Sequence, residues 1–326
     1  MNVLVTGGAG YIGAHLVKVL VDRGDTVVVA DDLATGSAGR IGIVPIIQLE
    51  LAADGAVEAI ASALRTHRID SVVHFAARKQ VGESVVRPAW YYRENIGGLA
   101  NVLLAMEREG VSRFVFSSSA AVYAASDRPL AEDDATAPLS PYGETKLVGE
   151  WLVRDATAAW GLQAVSLRYF NVAGAGSPEL GDTAALNLVP MVLEKLDAGH
   201  APTIFGADYP TGDGTCVRDY VHVQDVADAH LAAIDRGSTL GPGHHLFNIG
   251  TGTGASVREI IDAILAVAGV DVEPVVVARR PGDPATVVAA VDRIREKLGW
   301  VARFGLEDII DSAWRSHEYF RKAGRP

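Results

Sequence analysis

Through the first half of the chain, short and almost uninterrupted apolar runs alternate with amphipathic stretches. Val3-Leu4-Val5 is followed by Ile12, Leu16, Val19 and Leu20, spaced to share one face of a helix that Gly24 closes. Further apolar runs stand at 27–30, 44–47, 72–73, 114–116 and 165–167. Runs of that length without polar alternation belong to strands covered on both faces, as in a parallel sheet. Between them, the periodicity predicts helices over 57–67, 88–108 and 141–160. Strand and helix in this alternation specify an α/β fold with a doubly wound parallel, Rossmann-type sheet.

After Asn171 the texture changes. Loops rich in Gly, Pro and Asp at 174–182, 206–214 and 237–243 separate more scattered helices. Ser256, with Glu259 three residues on, forms a capping box that predicts a helix over 257–268. No internal repeat, low-complexity tract or linker interrupts the chain. The expected organisation is a sheet domain over 1–171, to which 218–251 returns, with a smaller mixed C-terminal lobe over 172–326 packed on it without a flexible tether.

Apolar residues make up 49% of the chain and charged residues 21%, enough to bury a large core and to exclude disorder as the dominant state. Lys and Arg number 29 against 40 Asp and Glu, a formal net charge of −11 that argues against nucleic-acid binding. A few arginines inside a cleft can still receive a small anion. With Cys216 as the only cysteine, neither a disulfide framework nor a cysteine-rich metal site is possible within one chain. The N-terminal residues lack the pattern of a secretory signal. The longest apolar candidate, 41–51, is short and broken by Pro45, Gln48 and Glu50, so no membrane span is expected and the expected location is the cytoplasm. Of the nine histidines, His244 and His245 are adjacent and would face opposite sides of a strand. His74 ends a strand and reads as structural, and His222 and His230 lie eight apart in a helical region without a third ligand, so no metal is expected.

Thr6-Gly7-Gly8-Ala9-Gly10-Tyr11-Ile12-Gly13 places Gly7, Gly10 and Gly13 at i, i+3 and i+6, between a strand and a helix. Glycines so spaced permit a tight turn, close approach to a pyrophosphate and close helix–strand packing. The helix start then offers free N–H groups and a positive dipole end. Asp31 ends the second strand, where a carboxylate accepts both ribose hydroxyls of an adenosine and repels a 2′-phosphate, which favours NAD over NADP. The plainer alternative for Asp31 is a turn carboxylate.

Ser140-Pro141-Tyr142-Gly143-Glu144-Thr145-Lys146 reads as a helix start, with Ser140 as N-cap and Pro141 at the first helical position. Tyr142 and Lys146 then share one face. A tyrosine of pKa about 10 is a poor base at neutral pH, and a nearby ammonium and a positive nicotinamide ring both favour its phenolate. Lowering that pKa by about three units corresponds to roughly 4 kcal/mol. Alone, the spacing also fits a surface Tyr and Lys that merely share a helix. Ser117-Ser118-Ser119 follow the 114–116 strand, where ligands of doubly wound sheets sit, or where a polar strand end simply caps a turn.

These residues, in this order, resemble the extended short-chain dehydrogenase/reductase superfamily and, within it, the UDP-glucose (UDP-galactose) 4-epimerases. The likeness runs along nearly the whole chain. It is carried by the glycine loop, by His74-Phe75-Ala76-Ala77-Arg78-Lys79-Gln80-Val81-Gly82-Glu83-Ser84, by Ser117-Ser118-Ser119-Ala120-Ala121-Val122-Tyr123 and by Leu167-Arg168-Tyr169-Phe170-Asn171. Most diagnostic are Asp208-Tyr209-Pro210-Thr211 and Asp213-Gly214-Thr215-Cys216-Val217-Arg218-Asp219-Tyr220. The resemblance implies that Tyr142 takes the C4 hydroxyl proton while C4 passes hydride to NAD⁺. Lys146 would hold the nicotinamide ribose and lower the tyrosine pKa, and Ser119 would bond the C4 oxygen. For NAD it implies Gly7, Gly10, Tyr11, Ile12 and Gly13 at the pyrophosphate and Asp31 and Asp32 at the adenosine. Phe75, Ala76, Ala77, Arg78 and Lys79 would run along the cofactor, with Asn95, Ser117 and Phe170 beside it. For a UDP-hexose it implies Lys79, Ser119, Ala120, Ala121, Asn171, Asn187, Leu188, Thr203, Phe205, Arg218, Tyr220, Arg280 and Asp283. The sheet domain would thus bind NAD and the second lobe the nucleotide-sugar, in a homodimer. A UDP-sugar's diphosphate needs cations, which Arg218 and Arg280 supply in the second half of the chain.

Four positions depart from the family's pattern. Leu49-Glu50-Leu51 stand where Gly-Asp and an aliphatic residue usually contact adenine, which leaves Glu50 as the adenine candidate. Ala121 replaces a frequent threonine and Leu186 a frequent asparagine. Val287, seven after Arg280, stands where a tyrosine is associated with rejecting N-acetylhexosamines, and so leaves room for UDP-N-acetylhexosamines. A 4,6-dehydratase would need an Asp-Glu pair where this chain has Ala120-Ala121. A UDP-uronate epimerase or decarboxylase stays open, and a non-catalytic NAD-binding regulator would usually lack the tyrosine.

Overall fold

The computed structural model describes residues 1–126, 128–280 and 282–323. The strands are β1 (Asn2–Thr6), β2 (Thr26–Asp31), β3 (Ile46–Gln48), β4 (Ser71–His74), β5 (Arg113–Ser119), β6 (Gln163–Tyr169), β7 (Asn171–Ala173), β8 (Thr203–Phe205), β9 (Val217–His222), β10 (His244–Ile249), β11 (Gly254–Ser256), β12 (Val275–Val277) and β13 (Thr286–Val287). The helices are α1 (Tyr11–Arg23), α2 (Ala56–Thr66), α3 (Val81–Val86), α4 (Pro88–Tyr92), α5 (Gly98–Glu109), α6 (Pro141–Trp160), α7 (Leu188–Asp197), α8 (Val223–Arg236), α9 (Val257–Ala268), α10 (Asp292–Leu298) and α11 (Leu306–Ala323). Seven parallel strands form the main sheet in the order β10-β6-β5-β4-β1-β2-β3. From β1 the chain builds outward through β2 and β3, then returns to add β4 on the other side. The carboxyl ends of β1 and β4 therefore border the switch point at which such sheets bind ligands.

Side chains along each buried strand alternate between two cores. Val3 and Val5 join Leu16 and Leu20 of α1 and Val226 and Ile234 of α8, while Leu4 joins Ile60, Leu64, Leu99, Met106 and Val153 of α2, α5 and α6. Both faces are thus covered, as the unbroken apolar runs require. Outside this sheet, β9 pairs with β7, β11 and β13, and β8 pairs with β12. A third core of Val192, Leu193, Ile204, Tyr220, Ile260, Ile264 and Ile309 lies under α7, α9 and α11.

Three local differences from the expected elements have physical causes. The strand expected at 44–47 begins at Ile46, because Pro45 has no N–H to donate and contributes only its carbonyl, which accepts from Val29. The helix expected over 88–108 is interrupted by a π turn, Arg93–Gly97, that buries Asn95. His222 belongs to no helix; it ends β9 and caps α8, its Nδ1 accepting from the Gln224 N–H at 3.0 Å. The capping box at Ser256 and Glu259 forms as expected.

Between β5, β6 and α6 the core holds a buried ion pair. Arg168 donates to Glu150 at 2.8 and 2.7 Å, and the Ser118 hydroxyl gives the same carboxylate a third bond at 2.5 Å. Removing one partner of a buried pair strands the other charge and costs about 3–5 kcal/mol. Arg168→Met is therefore expected to lower the urea-unfolding midpoint strongly. Arg168→Met combined with Glu150→Leu should lose less than Arg168→Met alone, a comparison that separates charge stranding from lost packing.

Candidate active site

The turn after β1 is shaped by glycine. Gly7 has φ +70°, and a Cβ there would lie 2.6 Å from the Ala76 nitrogen; one on Gly13 would overlap the Gly7 carbonyl. Helix α1 consequently starts hard against the strand ends, its first N–H groups facing a cleft of about 1070 Å³ at the switch point. Those walls suit an extended ligand carrying phosphates. Gly7, Gly10, Tyr11, Ile12, Gly13, Asp31, Asp32, Glu50, Phe75, Ala76, Ala77, Lys79, Asn95, Ser117, Tyr142 and Lys146 all line it.

Asp31 does two things at once. Its oxygens accept from the Ala9 N–H at 3.0 Å and the Leu33 N–H at 2.9 Å, which fixes the glycine turn and leaves lone pairs for a ligand. Burial raises its pKa, against the lowering effect of those two N–H bonds. Asp32 instead pairs with Arg78 at 2.5 Å. Asn95, turned inward by the π turn, accepts from the Arg78 N–H at 2.7 Å and donates to the Arg78 carbonyl and the Thr145 hydroxyl at 3.0 and 2.9 Å. It holds the backbone that follows β4 against α6.

Ser140 caps α6, its hydroxyl accepting from the Gly143 N–H at 3.2 Å, and Pro141 occupies the first turn. Tyr142 and Lys146 then project into the same cleft. Lys146 is buried, its Nζ donating to the Ser117 carbonyl at 2.7 Å and lying 5.9 Å from the Tyr142 ring centre. Burial pushes its pKa down to about 8, opposed by the Glu150 carboxylate. Burial likewise raises the Tyr142 pKa, opposed by the polar influence of the nearby Ser119 side chain. The chain alone thus keeps the phenol protonated at neutral pH.

A second cleft, of about 1080 Å³, opens between β9, α7 and β8. Asn171, Asn187, Leu188, Thr203, Phe205, Arg218, Tyr220, Arg280 and Asp283 line it, with buried Cys216 in its wall. Arg218 donates to Asp283 at 2.5 Å, and the Arg280 guanidinium lies 4.0 Å from the Phe205 ring centre. Phe170, Ser119, Ala120, Ala121 and Val287 line neither cleft. Phe170 is buried with Val122 and Tyr123, and Ala120 and Val287 pack against that group.

Several wall residues escaped the sequence. Glu94 and Tyr169 line the first cleft, and Met191, Lys195 and Val257 the second. Tyr169 stands inside a motif already singled out, so its neighbours pointed to it; the others carry no local signal. Arg78, within the stretch 75–79 expected along the cofactor, also lines the first cleft. Tyr169 donates to His230 at 2.5 Å, since the other ring nitrogen of His230 faces the Val226 carbonyl. His74 bonds Thr6 at 2.8 Å, and His244 bonds Ser166 at 2.7 Å. Among the described residues, no cluster of three or more His, Cys, Asp or Glu is arranged to hold a metal ion, and no helix is long and apolar enough to cross a membrane.

The NAD dependent epimerase/dehydratase family matches residues 3–250. A UDP-glucose 4-epimerase of Azospirillum brasilense is 46% identical over 319 residues, 96% of this chain and 90% of the relative. A crystal structure of UDP-glucose-4-epimerase from Stenotrophomonas maltophila, with bound NAD and formylated UDP-arabinopyranose, superposes with a TM-score of 0.93 at 41% identity, covering 99% of this chain and 100% of that one. The UDP-Glc/GlcNAc 4-epimerase of Campylobacter jejuni superposes with a TM-score of 0.84 at 35% identity, covering 98% and 99%. With the glycine turn and the tyrosine–lysine pair in the wall of one cleft, and with likeness over nearly all of its length, the chain belongs to the NAD dependent epimerase/dehydratase family, among its UDP-glucose 4-epimerases.

Proposed function

We propose that this protein interconverts UDP-galactose and UDP-glucose, using NAD held in the first cleft and the UDP-hexose held in the second. The observation that carries this is the placement of Tyr142 and Lys146 together in the wall of the glycine-turn cleft. Bound NAD⁺ supplies a hydride acceptor for C4 and a positive ring beside Tyr142. Tyr142 accepts the proton of the C4 hydroxyl, holds it while C4 is a ketone, and returns it after the sugar has turned its other face. Ser119 bonds the C4 oxygen, and the Lys146 ammonium opposes the burial that otherwise keeps the phenol protonated. Asp31 and Asp32 take the adenosine end, Asn95 orders the segment along the cofactor, and Phe170 backs it. Arg218 and Arg280 take the diphosphate, while Asn171, Asn187, Leu188, Thr203, Phe205, Tyr220 and Asp283 shape the uridine side. Firm contacts thus fall on UDP and few on the hexose, as a sugar that must turn over requires.

In this assignment residues 1–171 with 218–251 form the NAD-binding unit and 172–326 the nucleotide-sugar lobe. The enzyme is a cytoplasmic homodimer. In support of the dimer, α5 and α6 pack together and each exposes a large apolar side chain, Leu104 and Trp151. Val287 supports a wider substrate range: it is small, half-buried and packed beside the Ala120 and Phe170 group, which favours action on UDP-N-acetylhexosamines as well.

Purified protein given UDP-galactose without added cofactor should form UDP-glucose, followed by the anomeric proton signals; no conversion even with NAD added would overturn the activity. Tyr142→Phe should lower kcat by about 10²–10⁴-fold with NAD content unchanged. Val287→Tyr should cut the ratio of UDP-N-acetylglucosamine to UDP-galactose turnover by about tenfold, a difference of one lost fit in a pocket.

A further inference from the structure

Arg40 lines neither cleft, yet it joins them. It ends a short 3₁₀ turn, Ala38–Arg40, that follows β2. This segment is fixed to the glycine turn through the Ala9 peptide unit: the Ala9 N–H goes to the Asp31 carboxylate at 3.0 Å, and the Ala9 carbonyl accepts from the Ser37 N–H at 3.0 Å. From that anchor the guanidinium crosses to the loop between β7 and α7. Its two amino groups donate to the carbonyls of Leu180 and Gly181, each at 2.8 Å, and to the Thr183 hydroxyl at 3.2 Å. The next residue of that loop inward, Asp182, accepts from the Ala184 N–H and from the Asn187 side chain at 3.1 and 2.9 Å. The loop runs from the end of β7 to Asn187; Asn171 at the start of β7, Asn187, and Leu188 at the start of α7 all lie in the wall of the second cleft.

Two other residues of the cofactor side grip the same loop further back. Tyr11, in the wall of the first cleft, donates its hydroxyl to the Gly174 carbonyl at 2.6 Å, and His15 accepts from the Gly176 N–H at 2.9 Å. Arg40 is thus the last of three holds, and the one nearest the end of the loop that carries Asn187. A planar guanidinium spans two successive carbonyls in a way that one ammonium cannot.

We propose that Arg40 is a positioning residue that ties the seating of the glycine turn to the wall of the second cleft, so that NAD and the UDP moiety stabilise one another's binding. It rests on the assignment of the second cleft to a UDP-hexose. Ordering of the glycine turn by a dinucleotide fixes Ala9 and, through Ser37 and Arg40, the stretch 180–183. A UDP moiety that orders Asn187 and Leu188 restrains the same stretch from the other end. Coupling between two ligands is reciprocal and is typically 5–150-fold.

The test uses the NAD-loaded enzyme and UDP as the probe, comparing wild type with Arg40→Met and Arg40→Lys by titration calorimetry, steady-state kinetics and the rate of NAD loss with and without saturating UDP. Arg40→Met should raise the Kd for UDP and the KM for UDP-galactose by about tenfold while kcat stays within about twofold. In the wild type UDP should slow NAD loss, and in Arg40→Met that protection should disappear. Arg40→Lys, which keeps the charge and reaches one carbonyl, should fall between them and serves alone if the methionine variant does not fold. If UDP binds the wild type and neither its affinity nor its protection of NAD changes in the variants, the tether is wrong and the UDP assignment stands. A wild type that binds no UDP overturns both.

Discussion

The close approach of two backbones, the turn after β1 and the segment leaving β4, governs the rest of the site. Gly7 leaves no room for a side chain between its own Cα and Ala76, and Gly13 leaves none between α1 and that turn. Only because those contacts are bare does α1 begin at the switch point rather than a few ångströms away, where its free N–H groups would miss a phosphate. Asp31 then uses the same turn as a hydrogen-bond partner, so the residue suited to an adenosine also holds the glycines in place. Ligand and scaffold compete for one carboxylate's lone pairs, and there are enough for both.

The charge balance around Tyr142 is a second constraint. Burial makes the phenol a weaker acid and the Lys146 ammonium a stronger one, each change opposite to what proton abstraction requires. Glu150 offsets part of this from within the core, where it is itself neutralised by Arg168. A positive charge brought against the phenol would act in the opposite sense to burial and favour its ionised form.

Much of this was legible in the chain because the sheet is buried on both faces. Such strands have few polar positions to confuse the pattern, and β1, β2, β4, β5 and β6 stand where their apolar runs predict. The glycine turn and the Tyr142–Lys146 spacing are short-range features, each set by one turn's geometry. The short strands β7, β8, β11, β12 and β13 were not legible. They run two or three residues and owe their conformation to pairing across the fold, with exposed Val275–Val277 in β12 carrying no inside–outside alternation. Arg40 and Arg78 were invisible as partners of anything, since their acceptors lie 140 and 46 positions away in sequence. Phe170 and Val287 were singled out by resemblance, and the fold sets them together beside Ala120 through contacts that no local pattern specifies.

The π turn at Arg93–Gly97 makes the length of its helix part of the site. A π turn is an α-helix with one residue too many, and each residue of an α-helix advances its direction by about 100°. Deleting Ile96 would heal the helix and leave the packing of α5 almost intact. It would also swing Asn95 away from Arg78 and Thr145 by more than a quarter turn. The segment can thus accept many changes of side chain, but it is closed to a change of length.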